Sequence, residues 1–225
     1  MRSNELLKNR RLVLFDLDGT LVDSAADLYR AMNLSLEKLA LPAVTEAQVR
    51  IWVGKGAAKL CEMVLQHLFG QVNAEQHQQL LATFMDIYAQ ELCVHTSIYT
   101  GVLDFLNYCQ TQNITMACVT NKPEHLAQGV LDSLGLSGYF KILLGGDSLA
   151  ERKPHPLPLL HCMEIQNVSA AETLMVGDSS NDVEAARRAG IDCIAVSYGY
   201  NHGENIADSQ PRQIVDSLAE LVHYG

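Results

Sequence analysis

Several features that would direct a chain toward nucleic acid, membrane or an oxidising compartment are missing from this sequence. Basic residues do not outnumber acidic ones. There are 16 Lys and Arg against 26 Asp and Glu, for a formal net charge of −10. That balance argues against nucleic acid or an anionic membrane surface as partner. An anionic substrate would therefore need local cations or a metal to hold it. No apolar run approaches the roughly 20 residues of a membrane span, and Met1 to Arg11 carries no signal-peptide hydrophobic region. The six cysteines (61, 93, 109, 118, 162 and 193) form no Cys-Xaa-Xaa-Cys pair, and several lie inside apolar segments. They read as reduced core residues of a cytoplasmic protein. Neither an internal repeat nor a low-complexity stretch is present. What remains is 225 residues, 48% of them apolar, enough for one sizeable domain or a domain with an insertion.

The chain is organised around Leu12-Val13-Leu14-Phe15-Asp16-Leu17-Asp18-Gly19-Thr20. Four apolar residues in a row predict a buried strand of a parallel sheet, and ligands of such sheets gather at the carboxyl ends of the strands. In extended chain Asp16 and Asp18 point to the same side, roughly 6.6 Å apart. Two carboxylates so placed repel each other unless a cation or a proton lies between them. A calcium loop is excluded. Counted from Asp16 the glycine is fourth rather than sixth, and the twelfth residue is Asp27 where a glutamate is required. A strand running into an Asp-Gly turn would be the plainer reading if the motif stood alone.

It does not stand alone. From about residue 23 to 92 the pattern is wholly helical. Leu28, Met32, Leu36 and Leu39 share a stripe, Thr45-Glu46-Ala47-Gln48 opens a second helix with a capping box, and Gly54-Lys55-Gly56 breaks it. Helices are expected again over 57–69 and 74–92. From about Val94 strands alternate with helices. Strand 114–119 runs into Thr120-Asn121, strand 141–144 into a polar loop with Arg152-Lys153-Pro154, and strand 173–176 into Gly177-Asp178-Ser179-Ser180-Asn181-Asp182. Cys193 to Val196 is the last clear strand, and Ser217-Leu218-Ala219-Glu220 starts a final capped helix. The alternation implies an α/β fold, a doubly wound parallel (Rossmann-like) sheet with right-handed crossovers. The expected domains are a core of residues 1–21 and 94–225 and an inserted all-helical cap of residues 22–93.

Strand ends of a parallel sheet lie along one edge, so Asp16 and Asp18, Thr120 and Asn121, Lys153, and Asp178 and Asp182 are expected to converge. Carboxylate-rich sites that handle phosphate usually hold Mg²⁺, and carboxylates form aspartyl-phosphates. Hydrolysis of a phosphate monoester requires up to about 10²¹-fold acceleration, on the order of 28 kcal/mol at about 1.36 per decade. Metal, lysine and oriented donors must act together to supply it. Taken singly, the residues have plain readings: Asp178 as a helix N-cap, Asp182 as a carboxylate on a helix dipole, and Lys153 and Lys55 as solvated charges. Lys122 and Arg152 read as peripheral positive charge, and His125 and His155 as structural.

The four motifs in this order, with Trp52-Val53-Gly54-Lys55-Gly56 and Gly145-Gly146-Asp147, resemble those of haloacid-dehalogenase-superfamily phosphatases with a helical cap. Within them the likeness is greatest to those acting on phosphoglycolate. Tyr99-Thr100-Gly101 departs from the family, which commonly has proline before that glycine. The resemblance implies a Mg²⁺-dependent phosphomonoesterase acting on a small phosphorylated metabolite, with 2-phosphoglycolate as expected substrate and a monomer or homodimer as expected state. Asp16 would be the nucleophile and Asp18 the general acid and base. The metal would be held by Asp16, the main-chain carbonyl of Asp18, and Asp178. Thr120, Asn121 and Lys153 would hold the phosphoryl group, and Lys55 a substrate carboxylate. Asp182, Gly19 and Thr20 would support these. Rival expectations are a capped sugar-phosphate phosphatase, a pyrophosphatase, a phosphoglucomutase, or, in another class, a phospho-accepting receiver-like signalling module.

Overall fold

The computed structural model describes residues 6–222. Its centre is a six-stranded, all-parallel sheet of β1 (Leu12–Phe15), β4 (Thr115–Val119), β5 (Ile142–Leu144), β6 (Thr173–Gly177), β7 (Asp192–Val196) and β8 (Gln213–Val215), in the order β5-β4-β1-β6-β7-β8. β1 is central because all four of its residues are fully buried apolar groups, a pattern that only a strand covered on both faces can use. Val13 and Phe15 face one layer with Val102, Phe105 and Leu131, while Leu12 and Leu14 face the other with Leu159, Val183 and Ala186. Phe15 is in register with Cys118 of β4 and Val176 of β6. The three polar breaks that follow these strands therefore sit side by side at one edge.

Helices alternate with the strands as the sequence predicts. They are α5 (Val102–Thr111), α6 (Glu124–Ser133), α7 (Leu157–Gln166) and α8 (Ser180–Ala189), after four helices of the insertion: α1 (Ala25–Lys38), α2 (Glu46–Trp52), α3 (Ala57–Phe69) and α4 (Ala74–Gln90). The expected capping box at Thr45 and Gln48 is present, and Gly190 closes α8 in the left-handed region. The insertion buries its own apolar stripe. Met32, Leu36, Val49, Leu60, Val64, Leu80 and Phe84 form a cluster that also takes in Leu126 and Tyr200 of the surrounding fold. Each such side chain is worth about 1.5–3 kcal/mol on burial, so the four helices have a core of their own.

Three details depart from the sequence reading. The two connections to the insertion pair as a short antiparallel ladder, β2 (Val22–Asp23) with β3 (Ser97–Ile98), which two-residue strands do not announce by periodicity. An unforeseen last strand, β8, joins the sheet edge. The carboxyl-terminal helix expected from Ser217 is a single 3₁₀ turn over Leu218–Leu221, capped by Ser217 and Glu220 as expected. Of the expected core, residues 1–5 and 223–225 lie outside the described residues, as does part of the Met1–Arg11 stretch. Among the described residues no helix is long and apolar enough to cross a membrane.

Candidate active site

Asp16 leaves β1 and is buried. Its Oδ1 accepts from the Leu17 N–H at 2.7 Å and lies 3.0 Å from Lys153 Nζ. Burial pushes the Asp16 carboxyl up to about 6, against the opposing pull of Lys153 and with a further push from Asp182. Asp178, at the end of β6, is fixed by Thr20 Oγ1 at 2.9 Å and the Tyr200 N–H at 2.7 Å. Burial, then Asp182 and Asp16, raise it well above the ordinary carboxylate range. Gly19 has φ +89°, and a Cβ there would lie 2.3 Å from Asp178 Oδ2. The turn after Asp18 therefore requires glycine on two counts.

Asp182 answers both readings given to it. It stands at the third position of α8, where its Oδ2 accepts from Ser179 Oγ at 2.9 Å and the Ser179 N–H at 3.1 Å, completing a capping box. Its Oδ1 accepts from Lys153 Nζ at 2.7 Å. The helix cap and the lysine mount are one carboxylate. Asp178 is not the N-cap, since Ser179 has that role. Lys153, nearly fully buried between Asp16 and Asp182, is held firmly protonated: burial alone would lower its pKa, but the two carboxylates outweigh it.

Asp16, Asp178 and Asp182 offer carboxylate oxygens within 4.8 Å of one another. Three buried carboxylates thus face one ammonium, an excess of negative charge that a divalent cation would balance. The donor set fits an oxygen-loving ion. Asp182 is less suited to direct ligation than its position suggests, because it already accepts four hydrogen bonds, three of them on Oδ2, against one on each oxygen of Asp178.

Asp18 turns away from this cluster. Its Oδ1 accepts from Ser24 Oγ at 2.5 Å, and both its oxygens lie 3.1 Å from Lys122 Nζ. Lys122 is not peripheral, as its loop position suggested. Its side chain is 4% exposed and also meets Tyr88 Oη of α4 at 2.7 Å. Tyr88 lies within the helix expected over 74–92, and no motif of the sequence singles it out.

Thr120 is buried at the same edge, and its Oγ1 accepts from the Lys122 N–H. The Asn121 side-chain amide is engaged elsewhere: its Nδ2 donates to the Gly54 carbonyl at 3.1 Å and the Lys153 carbonyl at 2.9 Å. Its main-chain N–H remains the group available to a phosphoryl oxygen. Asn181 Nδ2 also donates to the Gly54 carbonyl, at 3.2 Å. The Gly54-Lys55-Gly56 loop is thus docked over the sheet edge. Lys55 is half-buried, and its charge helps burial to lower the pKa of His202, a neighbour the sequence did not single out. Arg152 and His155 are exposed, and His155 Nδ1 accepts from the Leu157 N–H.

Between loop and edge lies a cavity of about 40 Å³. Asp16, Asp18, Thr120, Asn121 and Lys122 line it from the sheet side, and Leu28, Val53, Gly54, Gly56, Leu60, Phe84 and Tyr88 from the insertion.

A family model for haloacid dehalogenase-like hydrolases matches residues 13–196. The chain is 40% identical to a phosphoglycolate phosphatase of Nitrosococcus oceani, over 96% of each chain. It is 41% identical to phosphoglycolate phosphatase 1 of Pseudomonas aeruginosa, over 94% of this chain and 78% of that one. Among solved structures, one described as a predicted phosphoglycolate phosphatase from Haemophilus somnus 129pt superposes with a TM-score of 0.92. Its identity is 34%, over 96% of this chain and 98% of that one. The chain belongs to the haloacid dehalogenase-like hydrolases and is a hydrolase of phosphoric monoesters.

Proposed function

We propose that this hydrolase converts 2-phosphoglycolate to glycolate and phosphate through an aspartyl-phosphate on Asp16. The observation that carries the chemistry is the convergence of Asp16, Asp178 and Lys153 from two strand ends and one loop, with Asp18 beside Asp16 in the cavity wall beneath the insertion. The substrate rests on the relatives of about 40% identity that bear that name.

In this reading an Asp16 carboxylate oxygen attacks phosphorus and the ester P–O bond breaks. Asp18 gives its proton to the departing glycolate oxygen, then takes one from the water that hydrolyses the acyl phosphate. Thr120, the Asn121 main-chain N–H and Lys153 hold the phosphoryl oxygens, with Asp182 fixing Lys153. Asp16, Asp178 and the Asp18 carbonyl would hold Mg²⁺. Bound there, the ion offsets the carboxylate charge and polarises the phosphoryl group.

Residues 1–21 and 94–225 would form the catalytic core and 22–93 the cap. With about 40 Å³ of space left beneath it, room for on the order of a few waters, the cap has to lift to admit substrate. Five buried cysteines and a sixth half-buried, all unpaired, suit a reducing cytoplasmic setting. The substrate is a small metabolite, with no part for nucleic acid or membrane, and the enzyme is a monomer or homodimer. The receiver-like rival is set aside by the family.

The test is phosphate release from a panel of small phosphomonoesters, with Mg²⁺ and with chelator. Metal-dependent preference for 2-phosphoglycolate is expected. Preference for a sugar phosphate would replace the substrate, and turnover undiminished by chelator would remove the metal.

A further inference from the structure

We propose that Lys122, rather than Lys55, is the cation that recognises the anionic end of the leaving group. Together with Asp18 it would restrict substrates to those with a carboxylate one carbon from the ester oxygen. The inference rests on the phosphomonoesterase reading above and narrows its substrate class. A carboxylate entering this cavity would meet Leu28, Val53, Leu60 and Phe84 of the insertion and Leu126 opposite. An anion among such groups is costly, several kcal/mol in effect, unless a cation meets it. Lys122 is the positively charged residue among those lining the cavity, whereas the lining includes Gly54 and Gly56 but not the lysine between them. Lys153 does not line it.

Position strengthens the assignment. Lys122 Nζ touches both oxygens of Asp18, the group that would protonate the ester oxygen. A cation that close to the proton donor fits an anion joined to that oxygen through a single carbon. Tyr88 fixes the ammonium from the cap side, by its hydroxyl at 2.7 Å and its ring face at 4.6 Å from the centroid. The cap thus sets the lysine's place without supplying the charge.

The experiment compares phosphate release from 2-phosphoglycolate and from ethyl phosphate, which has the same two carbons and no carboxylate. The enzymes are wild type, Lys122→Met, Tyr88→Phe and Lys55→Met, each with Mg²⁺. A charge-assisted contact implies that Lys122→Met lowers kcat/KM for 2-phosphoglycolate about 10- to 100-fold more than for ethyl phosphate, mostly through KM. Any loss common to both esters reports Asp18 placement instead. Lys55→Met should leave the ratio within about twofold, less than one lost hydrogen bond would give. Turnover of ethyl phosphate by each variant shows that it is folded. If Lys122→Met abolishes both reactions, Tyr88→Phe decides: a lowered ratio supports the proposal and an unchanged one overturns it. A retained preference in Lys122→Met, or its loss in Lys55→Met, also overturns it. A wild-type enzyme that does not favour 2-phosphoglycolate at all would instead remove the substrate reading above.

Discussion

The two sides of the cavity are built on opposite principles. On the sheet side, Asp16, Lys153, Asp178 and Asp182 are buried charges held by hydrogen bonds from fixed main-chain and side-chain donors. On the insertion side, Leu28, Val53, Leu60 and Phe84 present hydrocarbon on helices that have their own core. Buried charges are tolerated only where every partner is in place. The sheet side therefore has little freedom to vary without losing the reaction. Hydrocarbon walls can change shape or size at a cost in stability and selectivity rather than in the reaction itself. The proposed function then divides as chemistry in the strand ends and selection in the helices, with Lys122 and Tyr88 at the seam.

Asp16→Asn breaks the sheet side most severely. Loss of the proposed nucleophile should reduce turnover of every phosphomonoester by about 10⁴-fold or more, with the protein still folded by circular dichroism. Turnover above a hundredth of wild type would mean that Asp16 is not the nucleophile. Phe84→Ala attacks the other side. Truncating this fully buried ring should cost about 3–5 kcal/mol in denaturant unfolding. It should also shift kcat/KM between esters of different leaving-group size. A selective loss of chemistry with stability unchanged would contradict the division.

The metal prediction concerns the charge excess. Mg²⁺ at about 100 times its dissociation constant should stabilise the fold by about 2.7 kcal/mol, seen as a rise in melting temperature. Asp178→Asn should remove most of that rise, and an equal rise in the variant would place the ion elsewhere. In metal-free protein the same excess gives a pH dependence. The Asp16 carboxyl is raised from 3.8 to about 6, chiefly by burial. A raised acid contributes stability below its unfolded pKa, and that contribution is lost as pH rises through the folded value. The metal-free melting temperature should therefore lose this contribution between about pH 4 and 6, and Asp16→Asn should flatten that part of the profile. The smallest effect belongs to the seam. Asn181→Ala removes one amide from the Gly54 carbonyl, worth about 0.5–1.5 kcal/mol. It should lower kcat/KM severalfold by loosening cap closure, and wild-type kinetics would show that Asn121 holds the loop alone.

The same division separates what was legible in the chain from what was not. Asp16, Asp18 and Asp178 could be found because an apolar strand breaking into a carboxylate-glycine turn is a local pattern. Its place at a parallel sheet's edge then follows from alternating strands and helices. The helical insertion was legible for the same reason, through its 3.6-residue stripe and its capping box. Lys122 was not. Its neighbours in sequence are a threonine, an asparagine and a proline, and its partners Asp18 and Tyr88 lie 104 and 34 residues away. Short connecting strands such as β2 and β3 carry no periodicity to read.

The sequence by itself determined the strands β1, β4, β5, β6 and β7, the helices α1 to α8, the turn chemistry at their ends and the family to which they conform. Each is set by contacts within a few residues: side-chain alternation, capping and glycine's access to positive φ. The tertiary structure alone decided which cation faces which carboxylate. The sheet order β5-β4-β1-β6-β7-β8 sets Lys153 between Asp16 and Asp182, and it joins Thr20 to Asp178 across 158 residues. The docking of α4 sets Tyr88 on Lys122. Such pairings are strong because they are buried, where the dielectric is low and geometry is fixed. Burial of this kind exists only once distant segments have packed.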